Sequence, residues 1–322
     1  MAREVSAIRN ARYILLAGGI VILILLAYFG SGLFSKAPFR DDGVRYLIGV
    51  SQSNLLDPWQ VAMKEEMKKE AARHAEVKVI FYDAAEDDRK QRRDLANLVA
   101  QRVDLLIVLA NNPRFLTDAV RRVYREGTPV VMMEYPILTR DYSLLIFADN
   151  QAIGRKAGQL AAALLGKKGG AVLEVQGDPE SIKAGERKHG FRRGIQSNPR
   201  VKVNYVVVGF WSMDKTEVRV GEIYRKRPRP DLVFAHNDAM AVGAWKVARQ
   251  NGLQINIISG EGLDTQYGGN APVGNGILAA TFRYPTGGRE AIQYALRILQ
   301  GTKVPKRLEL PVTLVMKDGP PP

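Results

Sequence analysis

The sequence predicts an α/β protein of two similar lobes, each a doubly wound parallel sheet with helices on both faces, preceded by an apolar N-terminal segment. Three observations carry this. Strand-like and helix-like segments alternate from residue 46 onward without a long break, the pattern of parallel sheets. Strands such as Leu232–Ala235 are apolar throughout rather than alternating, as strands covered on both faces are. The halves also echo one another: Phe147-Ala148-Asp149-Asn150 and Phe234-Ala235-His236-Asn237-Asp238 each end an apolar run on polar, amide-bearing residues.

Taken in order, residues 13–35 are 23 uncharged, mostly apolar positions between Arg12 and Lys36. At about 1.5 Å per residue such a helix crosses a hydrocarbon core of roughly 30 Å. Arg3, Arg9 and Arg12 precede it, which places the N-terminus in the cytoplasm and everything after residue 36 outside. A cleaved signal peptide is the competing reading, but Pro38 spoils the small-residue site at 35–37, and the apolar stretch exceeds the usual ~7–15 residues. An uncleaved transmembrane anchor is therefore favoured for 1–36, with a linker over 37–44, and both readings export the rest.

Strands are expected at 46–51, 77–82, 104–109, 129–133 and 144–148, with helices at 58–74, 89–101 and 113–126 between them. The second half continues with helix 151–165, strand 171–176, helix 180–197, strand 203–209, helix 214–226, strand 232–235 and helix 239–250. Strands 255–259 and 277–282, helix 286–299 and one last strand over 308–315 complete it. Pro58, Pro113, Pro179 and Pro285 stand at or near helix starts, where the missing N–H costs nothing.

Composition narrows the function. The chain has 322 residues, 46% of them hydrophobic, so a sizeable core is available. It has no cysteine, which excludes disulfides, thiolate metal sites, a cysteine nucleophile and a lipidated cysteine. The formal charge is +14; residues 1–37 supply +3 of it (Arg3, Arg9, Arg12 and Lys36 against Glu4), leaving +11 for the remainder. The one dense basic run, Arg225-Lys226-Arg227-Pro228-Arg229, has neither a recognition helix nor interleaved aromatics beside it, so nucleic acid is not expected as a partner. No Walker loop, metal-spaced histidine pair or nucleophile elbow occurs. Gly274-x-Gly276-x-x-Ala279 precedes a strand where a dinucleotide fingerprint follows one, and no cofactor is expected.

What remains is polar residues at strand ends, where ligands bind in open α/β sheets. The most informative is 234–244: an apolar strand, then Asn237-Asp238 as a helix cap, then an apolar helix. The others are Ser51-Gln52-Ser53-Asn54 leading to Asp57-Pro58-Trp59-Gln60, Asn111-Asn112, Glu134-Tyr135, Asp149-Asn150, Arg187, Trp211, Glu261-Gly262 and Arg283-Tyr284. Planar Asp, Asn, Glu and Arg groups bind neighbouring hydroxyls two at a time, and Trp offers a flat face to a ring. A hydroxyl-rich neutral ligand fits that set, and a nucleophile with its base does not. Each residue also has a plain reading. Trp59, Met63 and Met67 follow core spacing, Glu134 could pair with a surface lysine, and Arg187 could be solvated. His236 could line the cleft or point away from it.

Several of these stretches resemble the ribose/galactose-type periplasmic sugar-binding proteins, whose lobes also form the ligand domain of LacI/GalR-type repressors. They are Ile48-Gly49-Val50-Ser51 leading to Asp57-Pro58-Trp59, Phe147 to Asn150, Gly185-Glu186-Arg187 before Gly190-Phe191, Phe234 to Gly243, and Leu278-Ala279-Ala280-Thr281. The resemblance covers about 44–315 and implies two Rossmann-like lobes joined by a three-crossing hinge that close on one monosaccharide or polyol. The lobes are then 45–149 plus 284–309, and 150–283 plus 310–322. It implies ligand contacts from Ser53, Asp57, Trp59, Asn111, Glu134, Tyr135, Arg187, Trp211, Asn237, Glu261 and Tyr284. Glu134-Tyr135 stands where the family often has Asp-Arg, Gln60 where a second aromatic often follows, and Glu261 where an Asp is typical. Ribose itself is therefore not assumed.

The resemblance further implies a monomeric, non-enzymatic protein in the periplasm or at the outer face of the cytoplasmic membrane. Its partner is an ABC sugar permease or a membrane sensor. The 280–288 run, Ala-Thr-Phe-Arg-Tyr-Pro-Thr-Gly-Gly, resembles a subset in which the lobes serve as a sensor. A LacI-type regulator would need an N-terminal helix-turn-helix, which 13–35 is too apolar to form. A dehydrogenase would need the glycine motif in the right place.

Overall fold

The computed structural model describes residues 43–263 and 270–317. Its first lobe is built from β1 (Tyr46–Gln52), α1 (Pro58–Ala71), β2 (Val77–Asp83), α2 (Asp88–Ala100), β3 (Leu105–Val108), α3 (Pro113–Arg125), β4 (Val130–Met133) and β5 (Leu144–Phe147). The second follows as α4 (Asn150–Leu165), β6 (Gly170–Gln176), α5 (Ile182–Gly194), β7 (Val201–Val208), α6 (Met213–Lys226), β8 (Leu232–Ala235), α7 (Asp238–Gln250), β9 (Asn256–Ser259), the short α8 (Asn270–Gly274) and β10 (Ala280–Arg283). The chain ends with α9 (Gly288–Leu299), β11 (Arg307–Glu309) and β12 (Thr313–Met316).

The sheets run β11-β5-β4-β3-β1-β2 and β12-β10-β9-β8-β6-β7. Ignoring β11 and β12, each has its strands in the order 2-1-3-4-5 of the doubly wound type, so the repeat heard faintly in the sequence is a repeat of topology. Strands β3, β4 and β8 are buried throughout, as their unbroken apolar runs require, and β1 and β9 are buried almost throughout. The echo at 149 and 237 proves to be two helix caps: Asp149 Oδ1 accepts from Ala152 N at 2.9 Å, and Asn237 Oδ1 from Met240 N at 2.9 Å. Pro58 and Pro113 do sit in the first turns of their helices, whereas α5 begins only at Ile182 and α9 at Gly288.

Two expectations are corrected. The last strand is two strands in different sheets: β11 runs parallel to β5, and β12 antiparallel to β10. Pro311 lies between them, without an N–H to continue a ladder. The chain thus passes between the sheets after β5, after β10 and after β11. The second correction concerns the transmembrane assignment. Residues 13–35 lie outside the described residues, and among those described no helix is long and apolar enough to cross a membrane. The longest, α4, has 16 residues and carries Arg155 and Lys156, too short and too charged for a hydrocarbon core of roughly 30 Å. The assignment is withdrawn.

Candidate ligand-binding cleft

At the end of β1 the chain turns through 53–57 into α1. The loop is held by its own polar groups: Gln60 Nε2 donates to Ser53 Oγ at 2.8 Å, and Asp57 Oδ1 caps α1 by accepting from Trp59 N at 2.9 Å. Trp59 is only 1% exposed and belongs to the core with Met63 and Met67. Its ring stacks on Tyr284 at 5.2 Å, and its Nε1 donates to the Tyr284 carbonyl at 3.2 Å. The plain reading of Trp59 as packing therefore holds, and the same packing places it beside the residues that follow.

Tyr284 begins the passage after β10, and its hydroxyl donates to Glu134 Oε1 at 2.6 Å. Glu134 follows β4 with φ of +61°, a left-handed conformation uncommon for a side chain-bearing residue and often tied to function. Beside it, Tyr135 donates its hydroxyl to Glu186 Oε2 at 2.9 Å. Asn150 ties these groups together. Its Nδ2 donates to both phenol oxygens, Tyr135 at 3.2 Å and Tyr284 at 3.1 Å, and its Oδ1 accepts from Arg187 Nε at 2.9 Å. Burial, with Glu134 nearby, raises both phenol pKa values, so both hydroxyls remain donors.

Arg187 is wholly buried, and glycine is the local reason. Helices α4 and α5 approach so closely that a Cβ on Gly154 would lie 2.1 Å from the Arg187 carbonyl oxygen. Besides its bond to Asn150, the guanidinium donates through Nη1 to the His236 carbonyl, and Nη2 is buried without a partner. The His236 ring points into the second lobe. Gly177 N donates to its Nδ1 at 3.3 Å, so the ring proton sits on Nε2, which donates to Glu174 Oε1 at 3.2 Å. Burial lowers the His236 pKa and keeps it neutral. Arg192 Nη2 holds the other Glu174 oxygen at 2.9 Å. His236 thus positions Arg187 through its backbone and does not line the cleft with its ring.

Asn237 caps α7, and its Nδ2 donates to the Trp211 carbonyl at 3.3 Å. Trp211 has φ of +60°, and its ring lies over Gly177, where a Cβ would meet it at 2.1 Å. Glu261 follows β9 and is buried; burial, with Asp57 nearby, pushes its carboxyl up to about 8, against the pull of Lys183 and Arg187. Its loop is fastened by Asp238, which accepts from Ser259 Oγ, from Thr281 Oγ1 at 2.8 Å and from Leu263 N at 3.2 Å.

Contacts therefore join Trp59, Glu134, Tyr135, Arg187, Tyr284 and, through the Arg187 guanidinium 6.0 Å from its ring, Trp211. Ser53, Asp57 and Asn237 hold the loops around them. Asn111 is exposed, and its amide is bonded to Glu86 and Asp88. One residue that sequence reasoning passed over is Lys183, whose ammonium lies 3.5 Å from Glu134 and 4.8 Å from the Trp59 centroid. Gln52 and Gln176 end the first strand of each lobe, and Gln52 Oε1 and Gln176 Nε2 are buried without partners. Among the described residues no cluster of His, Asp and Glu could hold a metal ion.

Comparison with known proteins agrees with this geometry. Residues 48–303 match the model of the periplasmic binding protein domain. The ribose import binding protein of Bacillus subtilis (strain 168) is 31% identical over 273 residues, 84% of this chain and 87% of that protein. Among solved structures, the fructose-binding periplasmic domain of a hybrid two-component system superposes with a TM-score of 0.78 at 32% identity, covering 85% of this chain and 91% of that one. The Caulobacter myo-inositol binding protein gives 0.77 at 25% identity, covering 87% and 95%. The chain belongs to the periplasmic binding protein domain family.

Proposed function

We propose that this member of the family is an extracytoplasmic, non-enzymatic sugar- or polyol-binding protein that closes its lobes on a small neutral ligand and delivers it to an ABC-type sugar permease. The observation that carries the reading is a set of unpartnered buried polar atoms: Gln52 Oε1 and Gln176 Nε2 at strand ends, and Arg187 Nη2 on α5. Leaving such atoms unpaired is costly, and a ligand whose hydroxyls both donate and accept is the partner that suits all three. In this reading the three passages between the sheets are the hinge, with lobes 45–149 plus 284–309 and 150–283 plus 310–322. The ligand contacts both lobes only when they are closed, so binding shifts the population toward the closed form.

The ligand is framed by Trp59, Glu134, Tyr135, Arg187, Trp211, Glu261 and Tyr284, with Ser53, Asp57 and Asn237 shaping the loops. Isothermal titration and thermal shift against a panel of aldoses, ketoses and inositols test the assignment. Absence of both heat and shift for every member would sink it. A second reading is favoured by one observation, the 32% identical domain that belongs to a hybrid two-component system. In that reading the closed form reports to a signalling partner in trans. The neighbouring genes separate the two: a permease with its ATPase, or a histidine kinase.

A further inference from the structure

We propose that Lys183 is a specificity-determining ligand residue: with Glu134 of the opposite lobe it recognises one hydroxyl of a neutral polyhydroxylated ligand from two sides. The inference rests on the sugar-binding reading above and adds to it a residue that reading does not use.

Lys183 stands in the first turn of α5, four residues before Arg187, so both cations face the same way from one helix. A long lysine ordinarily extends its ammonium into water. This one does the reverse. Its side chain is only 12% exposed, and its Nζ lies 4.8 Å from the Trp59 ring centroid, 5.4 Å from that of Trp211 and 5.6 Å from that of Tyr284. Three aromatic faces drawn from both sides of the cleft hold the charge by their quadrupoles. The neighbouring carboxylate, Glu134 Oε1, is 3.5 Å away, an ion pair beyond hydrogen-bond length. Among the described residues Nζ makes no hydrogen bond, so its donors are available to a ligand.

Glu134 supplies the complement. Its Oε1 takes both the Tyr284 hydroxyl and the Lys183 charge, and Oε2 has no partner among the described residues. A free carboxylate oxygen beside a free ammonium suits a hydroxyl, which gives its proton to one and its lone pair to the other. Because the two charges offset each other, the pair does not call for a charged ligand. Arrangement across the lobes has a further consequence: the reader is assembled only on closure, so recognition of that hydroxyl is coupled to the closed state.

Calorimetry on the wild type, K183M and E134Q tests this, first with the neutral panel and then with monodeoxy analogues of the tightest ligand. K183M should bind that ligand more than about tenfold less tightly while its circular dichroism and unliganded unfolding midpoint stay at wild-type values. One monodeoxy analogue should bind the wild type more weakly than its parent, and that penalty should vanish in both K183M and E134Q. The inference is overturned if K183M binds the parent as the wild type does, or if the deoxy penalties persist unchanged in both variants. Tighter wild-type binding of the corresponding sugar acid would also overturn it, since the pair would then be reading a carboxylate. A wild type that binds no panel member removes the sugar reading itself, an outcome distinct from these.

Discussion

Replacing Glu261 by glutamine should make the protein less sensitive to alkali. The carboxyl is buried, and its pKa is raised from 4.5 to about 8, chiefly by desolvation and then by Asp57. Between those two values the folded protein holds a proton that the unfolded chain has already lost. Stability from this group is therefore complete below 4.5 and falls as pH rises, until the penalty is full above about 8. The slope follows from one proton: about 1.4 kcal/mol per pH unit at most, on the order of 4–5 kcal/mol across the window. Glutamine mimics the protonated acid in shape and neutrality, so the variant lacks this slope. Other groups also contribute to the pH dependence of stability, and the difference between wild type and E261Q cancels them. Urea unfolding of both proteins at unit intervals from pH 5 to pH 9 gives that difference. The two should be nearly equal at pH 5, with E261Q the more stable by several kcal/mol at pH 9. A difference that stays constant over this range would mean the carboxyl titrates as though solvated, and the burial argument would fail.

Five further outcomes are expected. Arg187→Ala removes the bonds to Asn150 and the His236 carbonyl together with the free Nη2, and should cost about 2–4 kcal/mol of ligand binding by titration. Arg225→Ala and Arg227→Ala, in the exposed basic run, should leave binding unchanged in the same assay. Gly177→Ala puts a methyl 2.1 Å from the Trp211 ring and should shift tryptophan emission while costing about 1–3 kcal/mol in urea unfolding. Gly185→Ala in α5, where a Cβ meets nothing within 4 Å, should instead gain about 0.5–1 kcal/mol. Asp238→Ala leaves the Ser259 and Thr281 hydroxyls only each other as partners and strands the Leu263 amide, and a loss of about 1–3 kcal/mol by denaturation is expected.

Much of the fold was legible because burial writes itself into composition. Strands β3, β4 and β8 are apolar at every position, and their ends could be read to within a residue or two. One cap was legible for the same local reason, Asn237, which stands directly before its helix and bonds to the first turn; Asp57 and Asp149 do the same and were legible only as strand-end polar residues. Position 311 was the exception. A run of Leu, Glu, Pro and Val reads as one edge strand, since proline is tolerated at edges, and only the pairing partners reveal that its halves serve different sheets. Around the candidate site, Arg187 and Glu261 could be named as candidates from the sequence. Lys183 could not. In the local sequence Ile-Lys-Ala-Gly-Glu-Arg-Lys it is one cation among several, and the rings that draw it inward come from residues 59, 211 and 284.

The distribution of bonds around the cleft bears on how it can close. Second-lobe groups are anchored redundantly: Arg187 by Asn150 and His236, His236 by Gly177 and Glu174, Glu174 by Arg192. Each can hold its direction while the lobe moves as a unit. Among the described residues the polar side-chain contacts between the lobes are few: Lys183 to Glu134, Tyr135 to Glu186, and Asn150 to Tyr135 and Tyr284. Exchanging so few for water costs little, and a ligand that bonds to both sides can decide the balance. Asn150 and Tyr284 stand where the chain passes between sheets, and they are bonded to each other at 3.1 Å as well as to Tyr135 and Glu134. A ligand that alters the bonding of Glu134 therefore acts one hydrogen bond away from a passage. In a closing protein, such proximity lets recognition bias the backbone on which closure turns.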